Sequence, residues 1–389
     1  KFLDIFYRLW KEHSAGEALR LTKEAAIRAG VPEGVVSRFR LYGHLGLNQS
    51  EALEFGAQHF QRSFNIALAA RKEKRWHDAI RYYENALSLA DIVGRDDLLP
   101  FMFQEISVCA LKARDRRRAT YYSRERVSFL RSGRLRNSIE EQLTKQNVTY
   151  EEYVALALLD LGIIYNEFEL YREGVDALEE AISIFQKRRD INIRKLFSTM
   201  RQLGNVQQFA GEYLKALQTL HESLKLGTEV GDEAGIGSQL RLIGAIYFRR
   251  LDDNLKAETY YTRALKILAG RAEATGRAED RRSFLRCSID LGLVHERMAE
   301  FEKAVSVYQD VLDRCRQFGE QRLESEVLMN IGNTHWFQGD YQKAFEYQRR
   351  SLKKAKEIGD AFRQEVALNT AGLIYWTLND HDRAIENLQ

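Results

Sequence analysis

Residues 330–344, NIGNTHWFQGDYQKA, place Asn333, His335, Trp336 and Asp340 within eight positions of one another. An imidazole with a carboxylate five residues on could act as a general base oriented by an acid, or as two ligands of a metal ion. An amide and an indole beside them could hold a ligand by hydrogen bonding and stacking. His295, however, stands forty residues earlier in a segment of the same kind, IDLGLVHERMAEFEKAV. Tyr165, Tyr247 and Tyr375 take the equivalent place elsewhere. A position that accepts His or Tyr alike reads as a packed, hydrogen-bonded ring, not as a ligand or base.

No other chemistry stands out. The remaining six His show no HExxH, no i,i+4 pair and no Cys neighbour. Acids sit on periodic polar faces with Lys or Arg three or four residues away, the pattern of solvated ion pairs. The segment GDEAGIGSQ carries Gly235 and Gly237 but lacks a third Gly and a P-loop Lys. There is no Gly-x-Ser-x-Gly elbow and no kinase motif. The sequon at Asn147-Val148-Thr149 is of the kind that arises by chance. The expectation is a chain that is not an enzyme and holds no cofactor and no metal.

The elements that position these residues follow from composition and period. The chain has 389 residues, 59 basic and 56 acidic, for a net charge of +3, so charge alone does not point to nucleic acid. With 44% apolar and 30% charged residues it is a folding sequence. Pro32 and Pro100 are its only prolines, and Ala, Leu, Glu, Arg and Lys abound, which predicts an all-helical protein. Cys109, Cys287 and Cys315 are far apart, a pattern of a reducing compartment, and the expected localisation is cytoplasmic. No apolar run approaches the ~18 residues of a membrane span. The chain begins at Lys1 and stops inside a helix at Gln389, and is expected to be part of something longer.

The forty-residue spacing is general. Taking Gly332 as reference, equivalent positions are Ala67, Ser107, Gly162, Gly204, Gly244, Gly292 and Gly372. Nine residues on stand Trp76, Tyr171, Tyr213, Phe301 and Tyr341; twelve on stand Ala79, Ala119, Ala216, Ala304, Ala344 and Ala384. Twenty-seven on stand Gly94, Gly231, Gly319 and Gly359, three of them followed by an acid. The first apolar stretch has helical period and ends at a turn such as QGDY, where Gly takes a left-handed C-cap and Asp caps the next helix. Small Gly facing small Ala lets two antiparallel helices approach closely. Such a hairpin cannot bury its apolar face alone, so hairpins must stack.

The pattern LG–x7–GxY–xx–A, repeated over eight units from about residue 59, resembles the tetratricopeptide repeat. The length resembles the longer subtype of kinesin light chains, spindle-orientation scaffolds and Rap-type regulators. The family's early Trp is replaced by Leu158, Met200, Leu240, Leu328 and Leu368, and its late Pro by the Gly-Asp turn. The resemblance implies an all-α, right-handed α-solenoid of stacked helix-turn-helix hairpins. Residues 1–46 read as a helical hairpin, a degenerate capping repeat with Pro32 opening a following helix, and 47–389 as the solenoid. Insertions fall near 130–150 and 269–284. The first holds two capping boxes, Ser138 with Glu141 and Thr149 with Glu152, and predicts an added helix; the second predicts two lengthened helices.

In the resembled family the first helix of each hairpin lines a concave groove. Carried over by register, the partner-binding positions are Arg201, Asn205 and Gln208, then Arg241, Phe248 and Arg249, then Arg286, then Asn333, Trp336 and Phe337, and finally Asn369 and Trp376. Amides suit a peptide backbone, and arginines suit acids on the partner. Between Lys112 and Arg136 ten basic residues meet two acids, a second candidate patch made of Arg116, Arg117, Arg118, Arg124, Arg131, Arg134 and Arg136. An acidic protein partner fits that patch better than nucleic acid. The expected function is a non-catalytic protein- or peptide-binding scaffold or adaptor. The alternative is a regulatory or sensor arm whose effector lies beyond residue 389.

Overall fold

The computed structural model describes residues 49–90, 92–382 and 384. The hairpin expected over 1–46, with Pro32, and the chain from 385 to Gln389 lie outside the described residues. Among the described residues there are sixteen α-helices and no strand. No helix among them is long and apolar enough to cross a membrane.

The chain divides into two compact units at Glu169–Leu170. The first contains α1 (Gln49–Lys72), α2 (Trp76–Ala90), α3 (Leu99–Lys112), α4 (Arg116–Ser132), α5 (Arg136–Thr144) and α6 (Tyr150–Glu167). The second contains α7 (Tyr171–Gln186), α8 (Arg189–Phe209), α9 (Tyr213–Val230), α10 (Glu233–Arg250), α11 (Asn254–Thr275), α12 (Ala278–Arg297), α13 (Phe301–Phe318), α14 (Gln321–Phe337), α15 (Tyr341–Glu357) and α16 (Ala361–Thr377). Within the second unit each helix packs on the next, and α8, α10, α12, α14 and α16 also touch one another in turn. That second set of contacts makes the first helices of successive hairpins into one continuous face.

The small residues of the repeat explain the tight pairing. All six Ala at the twelfth position are fully buried. A Cβ built at Gly204 would stand 2.5 Å from Leu220 Cγ, and one at Gly332 would stand 2.9 Å from Gln348 Nε2. The residue sixteen or seventeen positions on thus lies over the Gly, and at Tyr83, Tyr261 and Tyr308 a whole phenol ring is sealed there. Cys109, Cys287 and Cys315 are free and buried in these layers. Burial pushes their thiols up to about 11, 12 and 12, so they are apolar packing groups and not thiolates near neutral pH.

The turns use left-handed backbone at a fixed register, seven residues past the reference position and eight in the Gly244 repeat. Gly211 and Gly339 have φ of +86° and +78°, but Lys74, Arg114, Glu169, Asp252, Ala299 and Asn379 also sit at +53° to +63°. Within each unit, packing of the two helices therefore imposes the turn even where a side chain opposes it. At the second turn, Asp232 and Asp360 cap α10 and α16 through the amides of Gly235 (2.9 Å) and Arg363 (3.2 Å).

The region after α4 holds one added helix, α5. A capping box opens α6: the Glu152 amide donates to Thr149 Oγ1 (3.2 Å) and the Thr149 amide to Glu152 Oε2 (3.1 Å). The box expected at Ser138 and Glu141 does not form, because α5 already begins at Arg136 and Ser138 lies inside it. The later insertion is absorbed by α11 and α12, of 22 and 20 residues, around a left-handed Gly276.

Candidate functional site

On the face shared by the first helices of the second unit, a groove of about 340 Å³ opens between α8 and α10. Arg201, Asn205, Gln208 and Phe209 line one side; Arg241, Leu242, Arg249 and Arg250 line the other. Register selected Arg201, Asn205, Gln208, Arg241 and Arg249, and the structure brings all five together. Gln208 Nε2 donates to Asn205 Oδ1 at 2.8 Å, which orients the amide pair. Arg201 Nε is buried and has no hydrogen-bond partner. Arg250 and Phe209, neither selected from the sequence although Phe209 shares the register of Arg249 and Phe337, complete the wall, with the Arg250 guanidinium 5.9 Å above the Phe209 ring and 5.7 Å above Tyr213.

Arg241 and Arg249 are not open charges. Arg241 Nε reaches Asp290 Oδ2 at 2.7 Å and Arg249 Nη2 reaches Oδ1 at 3.2 Å, and the Asp290 side chain is 5% exposed. Two residues before the reference position, Glu105 and Asp160 do the same work in the first unit: Glu105 pairs with Arg71, and Asp160 with Arg126 at 2.6 Å. An acid at this register accepts arginine from the preceding repeat. The sequence carried that signal, as an acid at one register in three repeats, and the groove assignment overlooked it.

Phe248 is corrected. It is 6% exposed and belongs to the core under α10, with the Arg297 guanidinium 4.5 Å above its ring. Position four after the Gly lies at the edge of the core, where Gln208 is also only 7% exposed, and an apolar ring turns inward there. Arg286 is exposed on α12, and Asn369 and Trp376 are exposed on α16, with Trp376 against His381 at 4.8 Å. Asn333 Oδ1 accepts from Gln348 Nε2 at 2.8 Å, and Trp336 leans on the exposed Phe337 at 5.2 Å.

The two repeated imidazoles take structural places. His335 stacks on Tyr347 at 5.7 Å, and burial lowers its pKa, which keeps it neutral. Asp340 accepts the Lys343 amide at 3.2 Å and its other oxygen meets Lys343 Nζ at 2.8 Å, so its carboxylate is engaged as a helix cap. His295 Nδ1 lies 2.8 Å from Glu300 Oε2, and with Glu258 these form a group close enough to share a cation. Lys303 Nζ, 2.8 Å from Glu300 Oε1, already supplies the positive charge.

In the first unit the basic stretch occupies α4 and its C-terminal extension. Arg118 pairs with Glu84 (2.9 Å) and Asp115 (3.0 Å), Arg134 with Asp96 (2.7 Å), and Arg136 with Glu140 (2.8 Å) and Glu151 (2.6 Å). Arg124 Nε donates to the Tyr165 hydroxyl at 2.6 Å, beside a cavity of about 290 Å³ that Arg131 also lines. Arg116 and Arg117 are exposed on the first turn of α4. Of the ten basic residues counted in sequence, Arg114, Arg118, Arg126, Arg134 and Arg136 thus meet acids.

Models described as tetratricopeptide repeat match residues 195–269, 284–357 and 323–389, and residues 64–97. A model described as anaphase-promoting complex subunit 5 matches 139–202. No curated protein sequence matches the chain. Among solved structures, a signal-transduction ATPase with numerous domains and a tetratricopeptide-repeat sensor, from Pyrococcus horikoshii, aligns over 96% of this chain and 51% of its own, with 15% identity and a TM-score of 0.56. This chain thus spans about half of that protein. The apo quorum sensor NprR from B. thuringiensis aligns over 95% and 94%, with 12% identity and a TM-score of 0.55. Aspartyl phosphate phosphatase F from Bacillus subtilis aligns over 91% and 84%, with 13% identity and a TM-score of 0.52.

Proposed function

Taking as premise that this chain belongs to the tetratricopeptide-repeat family, we propose that it is a non-catalytic protein- or peptide-binding module whose groove between α8 and α10 holds an extended segment bearing an acidic side chain. The observation that carries this reading is Arg201. Its Nε is withdrawn from water without a partner, beside an Asn205–Gln208 amide pair able to engage a peptide backbone. Arg241 and Arg249 stiffen the opposite wall through Asp290 and leave Arg201, with Arg250 beside the aromatic rings, as the charges to be met. The stacked hairpins hold these groups in place before binding, which limits the entropy lost on association.

The test is a fluorescence titration of the intact chain with octapeptides carrying one Asp or the matching Asn. Asp peptides are expected to bind at least tenfold tighter, and Arg201→Glu to erase the difference. Equal binding of Asp and Asn peptides, or a difference that survives Arg201→Glu, removes the groove as the site.

A second reading, a sensor arm that passes binding on to an effector, draws support from the likeness to the sensor of the Pyrococcus horikoshii ATPase and to the quorum sensor. The gene sequence past Gln389 tests it. A catalytic or DNA-binding segment there favours a sensor, and a capping helix followed by a stop favours a free-standing scaffold.

A further inference from the structure

On the same face, one repeat beyond the arginine groove, α12 presents Glu296 four residues after Gly292, one helical turn along. Tyr308 of α13 covers Gly292 so closely that a Cβ there would lie 2.7 Å from its ring Cζ. The Tyr308 hydroxyl is fully buried and has no hydrogen-bond partner. A phenol out of water normally finds one. Burial pushes its pKa up, and Glu296, Asp290 and Glu326, when ionised, push it further.

Two of those three carboxylates are already neutralised. Asp290 is held by Arg241 and Arg249, and Glu326 by Arg363 at 2.8 Å. Glu296 has no cation among the described residues. Its Oε2 lies 2.6 Å from Thr334 Oγ1, and that oxygen is also 2.9 Å from the Asn330 carbonyl. One hydroxyl hydrogen cannot serve both acceptors. A neutral Glu296 resolves this, donating to Thr334, which in turn donates to Asn330. Burial accordingly raises the Glu296 carboxyl above the ordinary carboxylate range.

We infer that Glu296, Tyr308 and Thr334 form the receptor for a primary ammonium group of the bound segment, from a lysine side chain or a free amino terminus. The inference rests on the groove reading for the segment's placement. Thr334 occupies one carboxylate oxygen and leaves Oε1 to the newcomer. That suits an ammonium, which bonds one oxygen at a time, better than a guanidinium, whose fork wants both. The Tyr308 oxygen accepts a second ammonium hydrogen. With Glu296 ionised, Thr334 turns its hydrogen to Oε2.

Calorimetric titration of the intact chain tests this with N-acetylated octapeptides carrying one Asp and, at each other position in turn, Lys or norleucine. A further arm leaves the amino terminus free. At one spacing Lys, or the free terminus, is expected to strengthen binding at least tenfold over its uncharged match, and the arm that responds identifies the source. The gain should vanish in Glu296→Gln and shrink in Tyr308→Phe, both size-conserving and checked by thermal melts. A gain that persists in Glu296→Gln, or no gain at any spacing, overturns the ammonium site while Asp dependence through Arg201 leaves the groove standing. Conversely, an Asp preference untouched by Arg201→Glu beside a Lys gain lost in Glu296→Gln removes the groove reading and keeps this one. Absence of binding by every peptide overturns both.

Discussion

The arginines of α4 and those of the α8–α10 groove look alike in sequence and do different work. In the first unit Arg126 is buried against Asp160, and Arg118 and Arg134 reach Glu84 and Asp96 across 34 and 38 residues of chain. In the second unit Arg241 and Arg249 close on Asp290, but Arg201 faces the groove with a buried nitrogen unmatched. A run of basic residues therefore says little about available charge. What decides is whether a neighbouring repeat supplies an acid at the matching register.

Four substitutions sharpen or break that contrast. Asp160→Ala strands a guanidinium whose side chain is 4% exposed, and should cost about 3 kcal/mol in urea unfolding; a loss near zero would mean Arg126 finds another partner. Asp290→Ala should cost only about 1 kcal/mol in the same assay, since Arg241 and Arg249, 34% and 55% exposed, can turn to water. Glu84→Ala, which leaves the half-exposed Arg118 to Asp115 alone, should shift stability by about 0.5 kcal/mol, with the difference fading as salt rises. Arg201→Ala should leave thermal stability within about 0.5 kcal/mol of the parent while weakening acidic peptides at least tenfold. Should Arg201→Ala instead melt early, the side chain belongs with those of α4 as a structural group.

Much of this was legible beforehand because the repeat announces itself. Gly, Ala and aromatic positions recurring every forty residues marked each hairpin and both turns, and register placed Arg201, Asn205 and Gln208 on one face. What escaped has a physical cause. Phe248 follows the same register, but at a position that also buries Gln208 an apolar ring goes to the core. Asp290 and Glu296 passed as ordinary acids on a polar face, since their meaning lies in partners 49 and 38 residues away. Ser138 imitates a cap, yet three-residue spacing occurs inside helices as readily as at their starts.

The left-handed turns carry a consequence for how the protein assembles. Among the described turns that close a hairpin within one unit, those at Gly211 and Gly339 rest on glycine, the residue most at ease with positive φ; the others hold Lys, Arg, Asp, Ala or Asn there. Before any helix has packed, the Gly turns are the cheapest to form. The hairpins α8–α9 and α14–α15 are accordingly the two seeds from which folding spreads outward, and pulse-labelled hydrogen exchange should find their amides protected first.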